Sequence, residues 1–364
     1  MTHITEHKRI HLIGIGGCSM SGLASILKNR GYYVQGSDRA ESPFTERLKE
    51  LGVPVFIGHD AKNIGDCDLI IFSAAIKSDN VERAEAKRRG IPELERSEAL
   101  GQLTEGYESV VGIAGCHGKT TITSMLALIC EQGGPDATVH IGGFVDFLNG
   151  GVRLGAHDMF ITEACEYVES FLTLRPTIAL INNIDNDHLD YYGDMEHIVA
   201  AFKKFAALLP ENGLLIGNTD DFRVRALMAE HTGRKLSYGM KDADYTPANI
   251  NYDDNGCPGF DIMFRGEKLM HIQLRIPGEH SVMNAIAAAA VAREIGADDK
   301  CIVSALNAFR NTRRRFEYYG ERNGVKYYHD YGHHPSEIAA TMKAASNVKH
   351  NKLFCVFQCN SYTR

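Results

Sequence analysis

SVVGIAGCHGKTTITSMLALICEQ, residues 109–132, is the stretch that decides the fold. Ser109 to Ala114 reads as a buried strand. Gly115-Cys116-His117-Gly118-Lys119-Thr120-Thr121 follows as a tight loop. Ile122, Met125, Leu126 and Ile129 then recur at helical spacing and share one face. Strand, glycine loop, Gly-Lys-Thr and helix make the phosphate-cradling arrangement of a P-loop. Glycine lets the backbone curl so that its N–H groups face phosphate oxygens, and the helix N-terminus adds partial positive charge. In that arrangement Lys119 reaches the outer phosphates and the Thr120 hydroxyl holds Mg²⁺. The full Walker pattern asks for glycine at position 113, where this chain has Ile113, so the loop is a shortened variant.

Outward from this stretch, composition sets the bounds. A chain of 364 residues predicts two or three domains, each large enough for its own core. Net charge is −7 and no long basic run occurs, which argues against a nucleic-acid partner. The first ten residues are polar and charged, unlike a secretory signal, and no apolar stretch is long enough to cross a membrane. Of nine cysteines none forms a CxxC pair. Cys355 and Cys359 stand alone as CxxxC, so thiols in a reducing compartment are expected.

N-terminal to the P-loop, Arg9 to Ile15 reads as a strand. The loop that follows contains Gly14, Gly16, Gly17, Ser19, Met20, Ser21 and Gly22. A helix leads to a second strand that runs into Ser37-Asp38. This is a Rossmann-like opening, suited to a diphosphate at a helix N-terminus. NAD is one reading, with Asp38 on a ribose. However, the third fingerprint glycine is Ser19, and the same loop suits any nucleoside diphosphate, including a UDP-sugar. A further strand, Asp68 to Ser73, brings Ser73 to the same edge.

C-terminal to the P-loop, Met159 to Glu163 and Thr177 to Asn182 read as strands. Glu163, Asp187 and His188 fall at their C-terminal ends, where open α/β sheets collect ligands. Glu163 and His188 read as a magnesium and γ-phosphate site, and Asp190 as a helix cap. Residues 245–275 suggest an antiparallel excursion, and Pro277-Gly278-Glu279-His280-Ser281-Val282-Met283-Asn284 opens an alanine-rich helix. Arg313-Arg314-Arg315 form a cluster suited to phosphate. Val325 to Tyr331 reads as a strand, a helix begins near Ser336, and Lys352 to Gln358 reads as one more strand.

Eight segments in order now carry a resemblance. They are GIGGCSMSG (14–22), GCHGKTT (115–121), EACEYVESFL (163–172), NNIDNDHLDYY (182–192), PGEHSVMNAIAA (277–288), TRRRF (312–316), DYGHHPSEI (330–338) and FQCNSYTR (357–364). Together they resemble the Mur ligases, and within them the branch that joins L-alanine to UDP-N-acetylmuramate. The resemblance covers the whole chain and stops short of the family's C-terminus.

The resemblance implies three α/β domains: 1–106 for the UDP-sugar, 107–311 for ATP and Mg²⁺, and 312–364 as an incomplete amino-acid domain. It implies ATP-dependent amide formation through an acyl phosphate, in the cytoplasmic stage of peptidoglycan synthesis. The UDP-sugar would meet Gly14, Gly16, Gly17, Ser19, Met20, Ser21, Gly22, Ser37, Asp38 and Ser73. ATP would meet residues 115–121, Asn284 at adenine, and Arg314, Arg315 and Asp330 from the domain boundary. Thr120, Glu163 and His188 would hold metal, with Lys119, Glu163 and His188 as the catalytic set. His333 and Arg364 would face the amino acid.

Three departures from the family pattern stand out. The acidic EADESD cluster is here Glu163-Ala164-Cys165-Glu166-Tyr167-Val168, Ser361 replaces a common basic residue, and the C-terminal part of the third domain is missing. Three alternatives compete: a murein-peptide ligase on the same UDP-sugar, a UDP-sugar or ATP binding module without turnover, and an NAD oxidoreductase. The last leaves the Gly-Lys-Thr and Asn-Asp-His motifs unused.

Overall fold

The computed structural model describes residues 2–310 and 314–358. The chain forms two compact units. The first contains 1–112, 137–165 and 169–176; the second contains 113–136, 166–168 and 177–364. Residues 137–165 go with the N-terminal segment because their strands pack on its first helix.

In the first unit the elements are β1 (Arg9–Ile13), α1 (Cys18–Asn29), β2 (Tyr33–Asp38), α2 (Pro43–Glu50), β3 (Val55–Ile57), β4 (Leu69–Phe72), α3 (Val81–Arg89), β5 (Glu93–Glu95) and α4 (Arg96–Thr104). Their strands form a parallel sheet in the order β3-β2-β1-β4-β5. Ile10, His11, Leu12 and Ile13 of β1 are all fully buried, as expected when helices cover both faces. The chain reverses direction of winding between β1 and β4, and the Gly14–Gly17 loop leaves β1 at that switch point.

One buried carboxylate organises this sheet's polar interior. Glu82 accepts hydrogen bonds from Ser37 Oγ at 2.5 Å and Asn63 Nδ2 at 2.7 Å, with His11 Nε2 at 3.1 Å. Burial pushes its carboxyl pKa up, but these hydrogen bonds outweigh burial and hold it below the ordinary value.

β6 (Ser109–Ala114) carries the chain to the P-loop and α5 (Lys119–Glu131). β7 (Ala137–Val145), β8 (Gly150–Arg153) and β9 (Ala156–Ala164) return to the first unit, β7 parallel to β9 and antiparallel to β8. His140 on β7 is the contact that seats α1. Its Nε2 lies 3.0 Å from the Ser19 carbonyl and its Nδ1 3.2 Å from Thr162 Oγ1. Gly22 leaves room for the ring, because a Cβ there would stand 2.7 Å from His140 Cδ2.

The second unit adds β10 (Ile178–Ile181), α6 (Leu189–Tyr192), α7 (Met195–Ala206), β11 (Leu214–Asn218), α8 (Phe222–Glu230), β12 (Arg234–Tyr238), β13 (Tyr245–Tyr252), β14 (Pro258–Phe264), β15 (Glu267–Gln273), α9 (Glu279–Glu294) and α10 (Asp299–Ala308). β10 to β13 run parallel in sequence order, and β14 and β15 close the sheet antiparallel, the excursion expected for 245–275. Residues 281–292 of α9 are buried all round, and its alanines let it lie against α5.

The last part is a hairpin, β16 (Glu317–Arg322) with β17 (Val325–His329), then α11 (Pro335–Asn347). β16 was not expected from the sequence. The strand expected at 352–358 is not formed: these residues pair with no ladder among the described residues, and Phe354 and Val356 are 81% and 98% exposed. An extended segment becomes a strand only when a neighbour supplies hydrogen bonds.

His140 supplies a test of the packing. Burial lowers its pKa from 6.5 to about 4, so the folded ring is neutral where an unfolded histidine takes up a proton. Its contribution is present above the unfolded value and is lost as pH falls through 6.5 toward 4. Between pH 7 and pH 4.5, His140 should remove about 2 kcal/mol of stability. Denaturant unfolding at both pH values should show a smaller loss for His140→Gln than for the parent chain; equal losses would refute the assignment.

Candidate active site

The P-loop backbone takes its shape from glycine. Gly115 has φ +136° and Gly118 has φ +86°, both in the region that side chains rarely adopt. A Cβ on Gly118 would also stand 2.5 Å from Asn182 Nδ2 and 2.8 Å from Asn284 Oδ1. Residues after β10 fix the loop from beneath. Asn183 Oδ1 accepts from the His117 N–H at 2.8 Å, and Asn182 Nδ2 donates to the His117 carbonyl at 2.9 Å. Asn182 is itself held by the Tyr238 hydroxyl at 2.6 Å, where β12 ends.

Within the second unit a cavity of about 280 Å³ opens on this loop. Lys119, Thr120, Thr121, Asn284, Arg315 and Asp330 line it, together with Cys116, His117 and Gly118. The nucleotide residues expected on the P-loop, on α9 and in the third segment therefore meet at one place. Gly115 and Arg314 are the exceptions: neither lines the cavity, and the Arg314 guanidinium lies 4.6 Å over the Tyr331 ring.

Lys119 is held firmly. Its ammonium donates to the carbonyls of Gly115 and Cys116 and to Glu166 Oε2 at 2.8 Å. The two side chains are only 14% and 2% exposed, so this ion pair is shielded from water. Glu166 Oε1 lies 3.7 Å from His188 Nε2, and Asp187 Oδ2 lies at the same distance on another side. His188 takes φ +57° and stacks on Tyr167 with ring centroids 4.6 Å apart. Glu166 was missed as a site residue. It stands in the segment where the acidic pattern departs from the family, and the nearby Glu163 drew the attention.

Glu163 belongs to the first unit and Thr120 and His188 to the second. In its own unit Glu163 Oε1 accepts the Gly142 N–H at 2.6 Å, so the glycine pair on β7 shapes its surroundings.

The third segment reaches the P-loop through charge. Glu337 on α11 lies 3.3 Å from Arg315 Nη1 and 3.4 Å from His117 Nδ1. Burial alone pushes its pKa up, but His117 and Arg315 outweigh burial and hold it well below the usual carboxylate range. His117 answers in kind: burial lowers its pKa, yet Glu337 and Asp185 leave it raised. Asp330 accepts N–H bonds from Phe316 at 2.8 Å and Gly332 at 2.6 Å, which shapes the cavity wall. His333 Nδ1 lies 3.2 Å from the Tyr331 carbonyl. Arg364 and Arg313 lie outside the described residues.

In the first unit, Gly14 has φ +82° and Gly16 donates to Asp38 Oδ2 at 2.8 Å. Asp38 thus braces the loop. Ser73 stands beside it, 3.5 Å from the position a Gly14 Cβ would take. Ser19 keeps Oγ near Arg96 Nη1 at 3.3 Å, a cation that sequence reading passed over. Met20 and Ser21 are buried, and Ser37 is fully buried with its hydroxyl on Glu82.

Comparison with known proteins gives one answer. The Mur ligase catalytic domain family matches residues 9–108, the Mur ligase middle domain 113–292, and the Mur ligase glutamate ligase domain 314–361. A UDP-N-acetylmuramate–L-alanine ligase of Clostridium botulinum (strain Langeland) is 45% identical over 359 residues, covering 99% of this chain and 78% of that protein. The enzyme of the same name from Alkaliphilus metalliredigens is 45% identical over 365 residues, covering 100% of this chain and 79% of its own length. The crystal structure of UDP-N-acetylmuramate–alanine ligase from Thermotoga maritima aligns with a TM-score of 0.81 at 29% identity, covering 94% of this chain and 78% of that one. A murein peptide ligase from Psychrobacter arcticus aligns with a TM-score of 0.78 at 26% identity, covering 93% and 76%. With domain matches along its length and relatives of 45% identity over nearly all of it, the chain belongs to the Mur ligase family.

Proposed function

We propose that this chain joins L-alanine to UDP-N-acetylmuramate with hydrolysis of ATP to ADP and phosphate. The observation that carries the reading is Lys119, held beside Glu166 at the edge of a cavity lined by the P-loop, in a chain 45% identical to ligases of that name. The relatives of 45% identity carry the name of L-alanine ligases, so L-alanine is the favoured amine.

In the proposed reaction a carboxylate oxygen of the muramyl group attacks the γ-phosphorus, and the bond to ADP breaks. The L-alanine amine then attacks the acyl carbon. Its C–O bond breaks, phosphate leaves, and the amine loses a proton. Such transfers are mostly positioning and charge neutralisation. Lys119 neutralises charge on the γ-phosphoryl oxygens, and Gly118 keeps the loop open to them. Asn284 contacts adenine, and Arg315 and Asp330 close on the nucleotide from the third segment. His333 and Arg364 face the amino acid. In the first unit the loop from Gly14 to Gly22 takes the UDP diphosphate, with Ser73 and Arg96 beside it.

The donor types suit Mg²⁺, because the Thr120 hydroxyl and the Glu163 carboxylate are hard oxygen ligands and the His188 imidazole is a tolerable addition. We assign Thr120, Glu163 and His188 to hold it. Held there, the ion would supply neutralisation of phosphate charge. We infer a cytoplasmic location from the nucleotide substrates of this reading. No helix among the described residues is long and apolar enough to cross a membrane.

Phosphate release from ATP tests the reading. It should require both UDP-N-acetylmuramate and L-alanine; release that ignores either would contradict it. Lys119→Ala should lower kcat by about 10²–10³, the usual loss of one transition-state donor, and a near-normal rate would sink the assignment. Glu166→Gln removes the partner charge of Lys119, worth about 1.5–3 kcal/mol in a charge-assisted bond. It should lower kcat roughly 10- to 100-fold while KM for the UDP-sugar holds steady. A matched rise in that KM would instead assign Glu166 to substrate binding.

A further inference from the structure

A second cluster of ligating groups sits where α11 meets the P-loop. Asp185 Oδ2 lies 3.0 Å from His117 Nε2 and 3.5 Å from His334 Nδ1. The three atoms lie within 4.8 Å of one another. We propose that His117, Asp185 and His334 form a binding site for a transition-metal dication of the zinc class. None of the three is a residue assigned to magnesium above, and the inference does not rest on the ligase reading.

Two observations support it. First, the spacing fits. Zinc bonds of about 2.0–2.1 Å in a tetrahedron put ligand atoms roughly 3.3 Å apart. Second, each imidazole has an acceptor for its other ring nitrogen. His117 Nδ1 faces Glu337 Oε1 at 3.4 Å, and His334 Nε2 lies 3.0 Å from the Asn186 carbonyl. A metal-bound histidine characteristically donates its second N–H to a carboxylate or carbonyl, which fixes the tautomer and leaves the other nitrogen free to coordinate. Both rings are oriented this way with their inner nitrogens toward Asp185.

Two imidazoles and one carboxylate suit zinc, cobalt or nickel far better than magnesium, which takes oxygen ligands. The Ser336 hydroxyl donates to Asp185 Oδ2 at 2.6 Å, so an oxygen stands beside the three ligands. The metal would replace the weak bond from the Ser336 N–H to His334 Nδ1, 3.3 Å, at the start of α11. The ligands come from three segments: the P-loop, the loop after β10, and α11. Metal bound here therefore cross-links the P-loop to α11 beside the nucleotide cavity, which His117 and Ser336 line.

Cobalt titration of the untagged chain, followed by visible absorption and displacement with zinc, tests this directly. One equivalent of Co²⁺ should bind with the bands of a nitrogen- and oxygen-ligated site, without thiolate charge transfer, and Zn²⁺ should displace it. His334→Gln and Asp185→Asn, each checked for folding by circular dichroism, should weaken Co²⁺ binding at least 10-fold. Asp185→Asn keeps size and a hydrogen-bond acceptor, so it carries the test if His334→Gln fails to fold. No binding by the parent chain would overturn the site. So would an unchanged affinity and spectrum in a folded variant, which would place the ion on ligands elsewhere.

Discussion

The ion pair between Lys119 and Glu166 is the contact on which the site depends. A P-loop lysine must point at phosphate, yet a long flexible side chain has many other rotamers to occupy. Here two loop carbonyls and one nearly buried carboxylate hold its ammonium in place. Such a pair adds little net stability, because desolvating both charges offsets their attraction. What it supplies is position. The same carboxylate extends toward His188, so one side chain links the phosphate loop to the Asn-Asp-His turn after β10.

Around that pair, the second unit is built to keep the loop rigid. Asn182 and Asn183 satisfy the loop's polar backbone, and Tyr238 fixes Asn182 in turn. An all-buried α9 brings Asn284 to the same place. α11 approaches through opposite charges, with Glu337 between Arg315 and His117. The first unit uses a different device. Its Gly14–Gly22 loop is braced by Asp38 at Gly16 and by His140 at Ser19, and its sheet is tied internally by Glu82.

The parts legible in the sequence were those with local causes. Strand, glycine loop and amphipathic helix are all written within residues 109–132, and the structure forms β6 and α5 at those residues. The glycine-led turn after β1 and the antiparallel excursion over 245–275 were equally local. Glu166, Asp185 and Glu337 were harder. Each acts through a partner 47, 68 or 220 positions away, at Lys119 or His117, and no periodicity encodes such a distance. The hairpin strand β16 was missed because exposed Tyr318 and Tyr319 carry no buried face to read. Residues 352–358 show the converse: a strand-like composition without a neighbouring strand remains unpaired.

The central claim is that the carboxylate of UDP-N-acetylmuramate is activated as an acyl phosphate. Oxygen tracing tests it most directly. With ¹⁸O in both carboxylate oxygens, one labelled oxygen should appear in the released phosphate, because the attacking oxygen stays with phosphorus when the amine displaces it. Phosphate free of label, with amide still formed, would contradict the account and require a route in which the carboxylate never bonds to the γ-phosphorus.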